Sequence, residues 1–141
     1  MQKIKLKTCS KFYYLLPVII WTIFILLLTG IPNDIIPPPP VFMDLFQPDK
    51  IVHLLMFGVY VYLFAIGVHK SYPEKKFNMI LFAAVISGIF YGGLSELLQK
   101  YVFISRNCNI YDFIANTGGC FTGVAAIKIR FRKADCKSRN S

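Results

Sequence analysis

NMILFAAVISGIFYGGLSELLQ, residues 78–99, carries no charge until Glu96, near its end. As an α-helix, rising about 1.5 Å per residue, such a stretch spans the roughly 30 Å hydrocarbon core of a bilayer. Three similar segments lie at about 13–31, 51–69 and 110–129. Only helices and closed barrels satisfy their backbones inside lipid, and the strict two-residue alternation of a barrel strand is absent. The expectation is an all-α membrane protein with four transmembrane helices.

Composition points the same way. Hydrophobic residues make up 55% of the 141 and charged residues 16%, against roughly a quarter charged in soluble proteins. The length allows one domain, residues 1–141, with 130–141 read as a basic cytoplasmic tail. The first apolar segment follows Lys3, Lys5, Lys7 and Lys11 but is too long for a signal peptide and lacks a small-residue cleavage site, so it reads as a retained anchor.

The basic residues set the expected orientation. Lys3 to Lys11 precede the first segment, Lys70, Lys75 and Lys76 lie between the second and third, and Lys128, Arg130, Arg132, Lys133, Lys137 and Arg139 end the chain. Only Lys50, Lys100 and Arg106 are left for the other side. The positive-inside rule then places both termini in the cytoplasm. The net charge of +9 is divided among membrane flanks rather than gathered for nucleic acid. Cys9, Cys108, Cys120 and Cys136 show neither a C-x-x-C pair nor zinc-finger spacing.

Two loops have character. Pro37 to Pro40 favour a stiff polyproline II spacer, and VFMDLF at 41–46 reads as an interfacial segment. Asp49, after Pro48, is placed to cap the second helix.

The polar residues that enter the apolar segments gather at one end. The second helix brings Asp49, Lys50 and His53, the third Glu96 and Gln99, the fourth Asp112 and Asn116, and Arg106 sits in the connecting loop. From the helical rise, Glu96, His53 and Asp112 lie about 4–6 Å below the boundary and Asn116 about 10 Å. Glu96 shares a face with Gly88 and Gly92, and Asp112 with Asn116, Gly119 and Gly123. If these two small-residue stripes line one another, Glu96 approaches Asp112, and two carboxylates there call for a cation or a proton. Each residue alone has a structural reading: Asp49 a cap, Lys50 a snorkelling side chain, Asp112 a partner of its helix dipole, Asn116 an interhelical bond. Together they point to one outward-facing pocket.

At these residues the chain resembles the VanZ-like family of small bacterial membrane proteins. DKIVH at 49–53, SELLQ at 95–99, Arg106 and YDFIANTGG at 111–119 are similar to its D-K-x-x-H, E-x-x-Q, R and D-x-x-x-N-x-x-G elements. The likeness covers about residues 12–130. It departs at RNCNIYD, 106–112, where glycine is common in the family. The resemblance implies a multi-pass protein of the bacterial cytoplasmic membrane. The family's namesake is linked to teicoplanin resistance, and no agreed reaction comes with the family.

Three expectations follow. In the first, Asp49, Lys50, His53, Glu96, Gln99, Arg106, Asp112 and Asn116 bind the polar headgroup of a lipid-linked envelope precursor or a lipoglycopeptide, with the bilayer as the other partner. In the second, His53, Glu96 and Asp112 are catalytic groups of an enzyme acting on a lipid-linked phosphate, alone or around a divalent metal. Against the second stands the lack of any H-E-x-x-H or G-x-S-x-G signature. The third, a transporter or channel subunit, requires ionisable groups through the whole membrane depth, and they occur only near one end.

Overall fold

The computed structural model describes residues 2–31, 48–103 and 110–139, with side chains placed over 11–31, 49–103 and 110–132. The segments 32–47 and 104–109, holding Pro37–Pro40, VFMDLF, Arg106 and Cys108, lie outside the described residues, as do the side chains of Cys9 and Cys136.

Four helices account for nearly all of it: α1 (Gln2–Thr29), α2 (Pro48–Ser71), α3 (Phe77–Tyr101) and α4 (Ile110–Arg139). Three carry a continuous apolar stretch long enough to cross a membrane: Lys11–Thr29, Asp49–Ser71 and Phe77–Tyr101. The fourth is less apolar, because Asp112, Asn116 and Thr117 occupy its start and Lys128, Arg130 and Arg132 its second half. Large apolar side chains such as Leu27, Phe82, Phe90 and Phe121 face outward, as expected where the surrounding solvent is lipid.

The helices run past their apolar segments. α1 begins in the lysine-rich flank, and α4 continues through the basic tail to Arg139, since nothing there breaks a helix. Pro48 takes the first helical position, where its missing N–H costs nothing. Asp49 is thereby inside the first turn of α2 rather than capping it.

α2 is the central element. It packs most extensively on α4, then on α1 and α3, while α1 and α4 do not pack on each other among the described residues. The α2–α4 seam is backbone against backbone. A Cβ at Gly119 would lie 2.2 Å from the Leu54 carbonyl oxygen, and one at Gly123 2.5 Å from that of Gly58. Helices can approach this closely only where side chains are missing. The glycine stripes of α3 and α4 therefore do not line each other. Those of α4 turn to α2, and Gly88 and Gly92 of α3 instead receive the Cys120 and Asn116 side chains.

α1 is held by polar ties along its length. Trp21 Nε1–H donates to the Met56 carbonyl (2.9 Å), the Tyr91 hydroxyl to the Thr22 carbonyl (2.7 Å), and the Ser71 hydroxyl to the Lys11 carbonyl (3.0 Å). Phe57, Val61, Ile25, Ile80, Cys120 and Ile127 form the fully buried interior.

The end opposite the polar cluster is basic and aromatic. The Lys11 ammonium sits 4.5 Å from the Tyr72 ring centroid, with Lys75 on the same ring, Lys70 over Tyr14 and Arg130 over Tyr62.

The seam makes a paired prediction. Gly119→Ala should destabilise the fold by about 1–3 kcal/mol through overpacking. Gly118→Ala, where an added Cβ meets nothing within 4 Å, should be neutral or stabilise by up to about 1 kcal/mol through helix propensity. Thermal unfolding in detergent, followed by circular dichroism, measures both; equal effects would refute the close seam.

Candidate functional site

The backbone contact at Leu54 and Gly119 sets the site's layer. His53 precedes Leu54, and Asn116 lies one turn before Gly119, so the two side chains face each other just beyond the contact. His53 Nδ1–H donates to Asn116 Oδ1 at 2.9 Å. Asn116 Nδ2 donates to Glu96 Oε1 at 3.3 Å, and that oxygen is 4.0 Å from His53 Nδ1. All three residues are buried, Asn116 completely. A histidine from α2, an amide from α4 and a carboxylate from α3 thus form a relay linking three helices.

The relay has a fixed polarity. Reversing the Asn116 amide would turn its oxygen toward the Glu96 carboxylate, an unfavourable contact while Glu96 is ionised. With the nitrogen toward Glu96, the amide oxygen meets His53 and calls for a proton on Nδ1. In the neutral ring, Nε2 then carries the lone pair.

Nε2 looks toward the mouth of the site. Asp49, one turn earlier on α2, places Oδ1 3.8 Å from it, beyond hydrogen-bond length. The Asp49 side chain is 61% exposed, whereas Asp112 on the first turn of α4 is buried. Asp49, His53 and Asp112 each offer a ligand atom within 4.8 Å of the other two. Glu96 approaches the same imidazole from its Nδ1 side.

The remaining polar residues are spread around this centre. Gln99 is buried, and its Nε2 donates to the Thr29 carbonyl at 3.3 Å, tying α3 to α1. Lys50 is half-buried, its ammonium 5.3 Å from the Tyr111 ring centroid. Arg106 lies outside the described residues.

Two features were not evident from residue spacing. The first is the part played by α1 through the Thr29 carbonyl, since a backbone acceptor leaves no mark in the side-chain pattern. The second is a groove of about 830 Å³ between α3 and α4, lined by Ile89, Phe90, Leu94, Leu97, Ile110 and Phe113, with Glu96 in its wall. Its apolar residues read, one by one, as ordinary membrane-facing positions.

Comparisons with known protein families, curated proteins and solved structures returned no match to the chain.

Energetic coupling should reveal the relay. A double-mutant cycle of His53→Ala and Asn116→Ala, measured by reversible unfolding in detergent, should depart from additivity by about 0.5–3 kcal/mol. Each single change strands a buried polar partner, at a cost of about 1–3 kcal/mol. Strict additivity would mean that the two side chains do not interact.

Proposed function

We propose that the chain is a VanZ-like protein of the bacterial cytoplasmic membrane, crossing it four times with both termini inside. Its acid-rich end binds the polar headgroup of an envelope lipid or a lipid-bearing glycopeptide from the outer face. The observation that carries this reading is the buried His53–Asn116–Glu96 relay directly beside an apolar groove, with Glu96 belonging to both. A ligand with a polar head and an apolar chain matches that pair. The head meets Asp49, His53 and Asp112 at the mouth, and one chain of the same lipid lies between α3 and α4. Ionisable residues inside a membrane helix are costly, and proteins keep them where they pair or where they work. Lys50, at the start of α2, and Arg106, in the sequence between α3 and α4, would supply positive charge to a headgroup phosphate. An effect on teicoplanin susceptibility would follow from sequestering or shielding such a lipid.

The orientation draws support from the asymmetry of the two ends. Lys11, Lys70, Lys75, Lys128, Arg130 and Arg132 lie at one end, Asp49, His53, Glu96 and Asp112 gather at the other, and positive flanks remain cytoplasmic. The fourth crossing draws support from the packing of α4 on α2 and α3, which buries Asn116, Cys120 and Ile127.

A second reading, a hydrolase or transferase acting on a lipid-linked phosphate, is favoured by one observation. His53 is oriented on Nδ1 by Asn116 and presents Nε2 to the mouth, as a general base must.

Lipid retention tests the headgroup site. The detergent-purified chain should co-purify with a phosphate-headed envelope lipid detectable by mass spectrometry, and Glu96→Gln and Gly93→Leu should each reduce the bound amount by about tenfold or more, roughly 1.4 kcal/mol in affinity. An unchanged lipid complement in folded variants would defeat the reading. For topology, Asp49→Cys and Glu74→Cys are introduced separately into a cysteine-free background. In intact cells a membrane-impermeant maleimide should label the first and spare the second; the reverse pattern would invert the orientation.

A further inference from the structure

We propose that Asp49, His53 and Asp112 form a binding site for one divalent cation of the kind that accepts mixed nitrogen and oxygen ligands, Zn²⁺ or Mn²⁺. The inference rests on the geometry of these side chains and stands whether or not the site also receives a lipid headgroup. The metal variant considered from residue spacing used His53, Glu96 and Asp112; in the structure Asp49 takes the position of Glu96.

Three observations carry the assignment. The first is convergence: two carboxylates and an imidazole, from α2 and α4, bring one ligand atom each within 4.8 Å of the others. Metal bonds of about 2.0–2.2 Å put neighbouring ligand atoms about 3–3.4 Å apart in octahedral or tetrahedral sites. The separations, 3.8 Å between His53 Nε2 and Asp49 Oδ1 and up to 4.8 Å within the set, are wider than that edge, so metal binding must draw the side chains inward, and the exposed Asp49 has room to move.

The second observation is the orientation of the histidine. Metal-binding histidines hold their second ring nitrogen in a hydrogen bond that fixes tautomer and ring angle, often to a carboxylate or carbonyl. His53 Nδ1–H is held by the Asn116 amide oxygen, and Asn116 is held by Glu96. The chain Glu96–Asn116–His53 therefore turns Nε2 toward the two aspartates.

The third is access. His53 and Asp112 are buried, while Asp49 reaches the surface, so a cation has a path in from water and three protein ligands leave further positions open. Such an open site holds water or an oxygen of another molecule, as catalytic rather than purely structural sites do. One imidazole with two carboxylates suits Zn²⁺ and Mn²⁺ better than the all-oxygen preference of Mg²⁺ or Ca²⁺. The other histidine of the chain, His69, packs against Phe77 and Phe131 at the opposite end and serves as an internal control.

The test uses the full chain in delipidated detergent, with its affinity tag removed and metals stripped by chelator. Zn²⁺ and, separately, Mn²⁺ are added back and bound metal is counted by elemental analysis and titration calorimetry. The expected result is one equivalent of metal per chain with a raised Tm. His53→Gln, Asp112→Asn and the more exposed Asp49→Asn should each weaken binding about tenfold or more, and Asn116→Ala, which keeps all three ligands, by about 10–100-fold. His69→Gln should leave binding unchanged. Failure of the folded wild-type chain to take up one equivalent of either metal overturns the proposal. So does binding that survives the changes at His53 and Asp49, or that is lost on changing His69. Because no lipid is present, these outcomes are independent of the lipid-retention result.

Discussion

Contact between the backbones of α2 and α4 governs the rest of the molecule. At Leu54, Gly58, Gly119 and Gly123 the helices meet with no side chain between them, and this fixes both their separation and their register. His53 and Asn116 lie immediately beyond the contact, so their hydrogen bond inherits that register. In lipid the apolar faces of two helices gain nothing from leaving water, and fit plus interhelical hydrogen bonding must hold them together. The glycines supply the fit and the relay supplies the bonding. Each strengthens the other, because a looser seam would lengthen the bond and a missing bond would leave the buried histidine and carboxylate stranded.

The relay also explains why the polar groups occupy one layer. Glu96 alone in the wall of an apolar groove would be an expensive ion. Through Asn116 it reaches an imidazole, and its charge is spread over groups from three helices. Gln99 extends the layer to α1 through the Thr29 carbonyl, so all four helices contribute at this end. At both ends cations also rest on tyrosines, Lys50 over Tyr111 at this end and Lys11 over Tyr72 at the other, where the ammonium groups stay near water.

Much of this was legible in the residues. Long uncharged stretches mark the helices, and the one-sided placement of Asp49, His53, Glu96, Asp112 and Asn116 foreshadows the layer in which these side chains meet. What could not be read was pairing. The spacing of Gly88, Gly92, Glu96 and of Asn116, Gly119, Gly123 shows which residues share a helix face, but not which neighbour that face meets. Two stripes on adjacent helices invite the inference that they meet along their length; Asn116 does reach Gly92 and Glu96, but Gly119 and Gly123 turn to α2, whose small residue at this level is the single Gly58. Asp49 likewise reads as a cap, because a polar residue after proline commonly is one. A cap there would start the helix at Lys50, whereas it starts two residues earlier, at Pro48, which leaves Asp49 inside the helix one turn before His53.

The modest apolarity of α4 bears on how the chain is made. A helix that opens with Asp112 and Asn116 and is soon followed by Lys128, Arg130 and Arg132 has a weak drive of its own to leave a translocon sideways into lipid. Its small-residue face is shaped to α2, which is synthesised two helices earlier. On the proposed four-span topology, insertion of the last segment would then be templated: α2 would need to be in place, with Gly58 uncovered, for α4 to find a surface to join. On that topology the seam, rather than the apolarity of α4 itself, would draw the last helix into the bilayer.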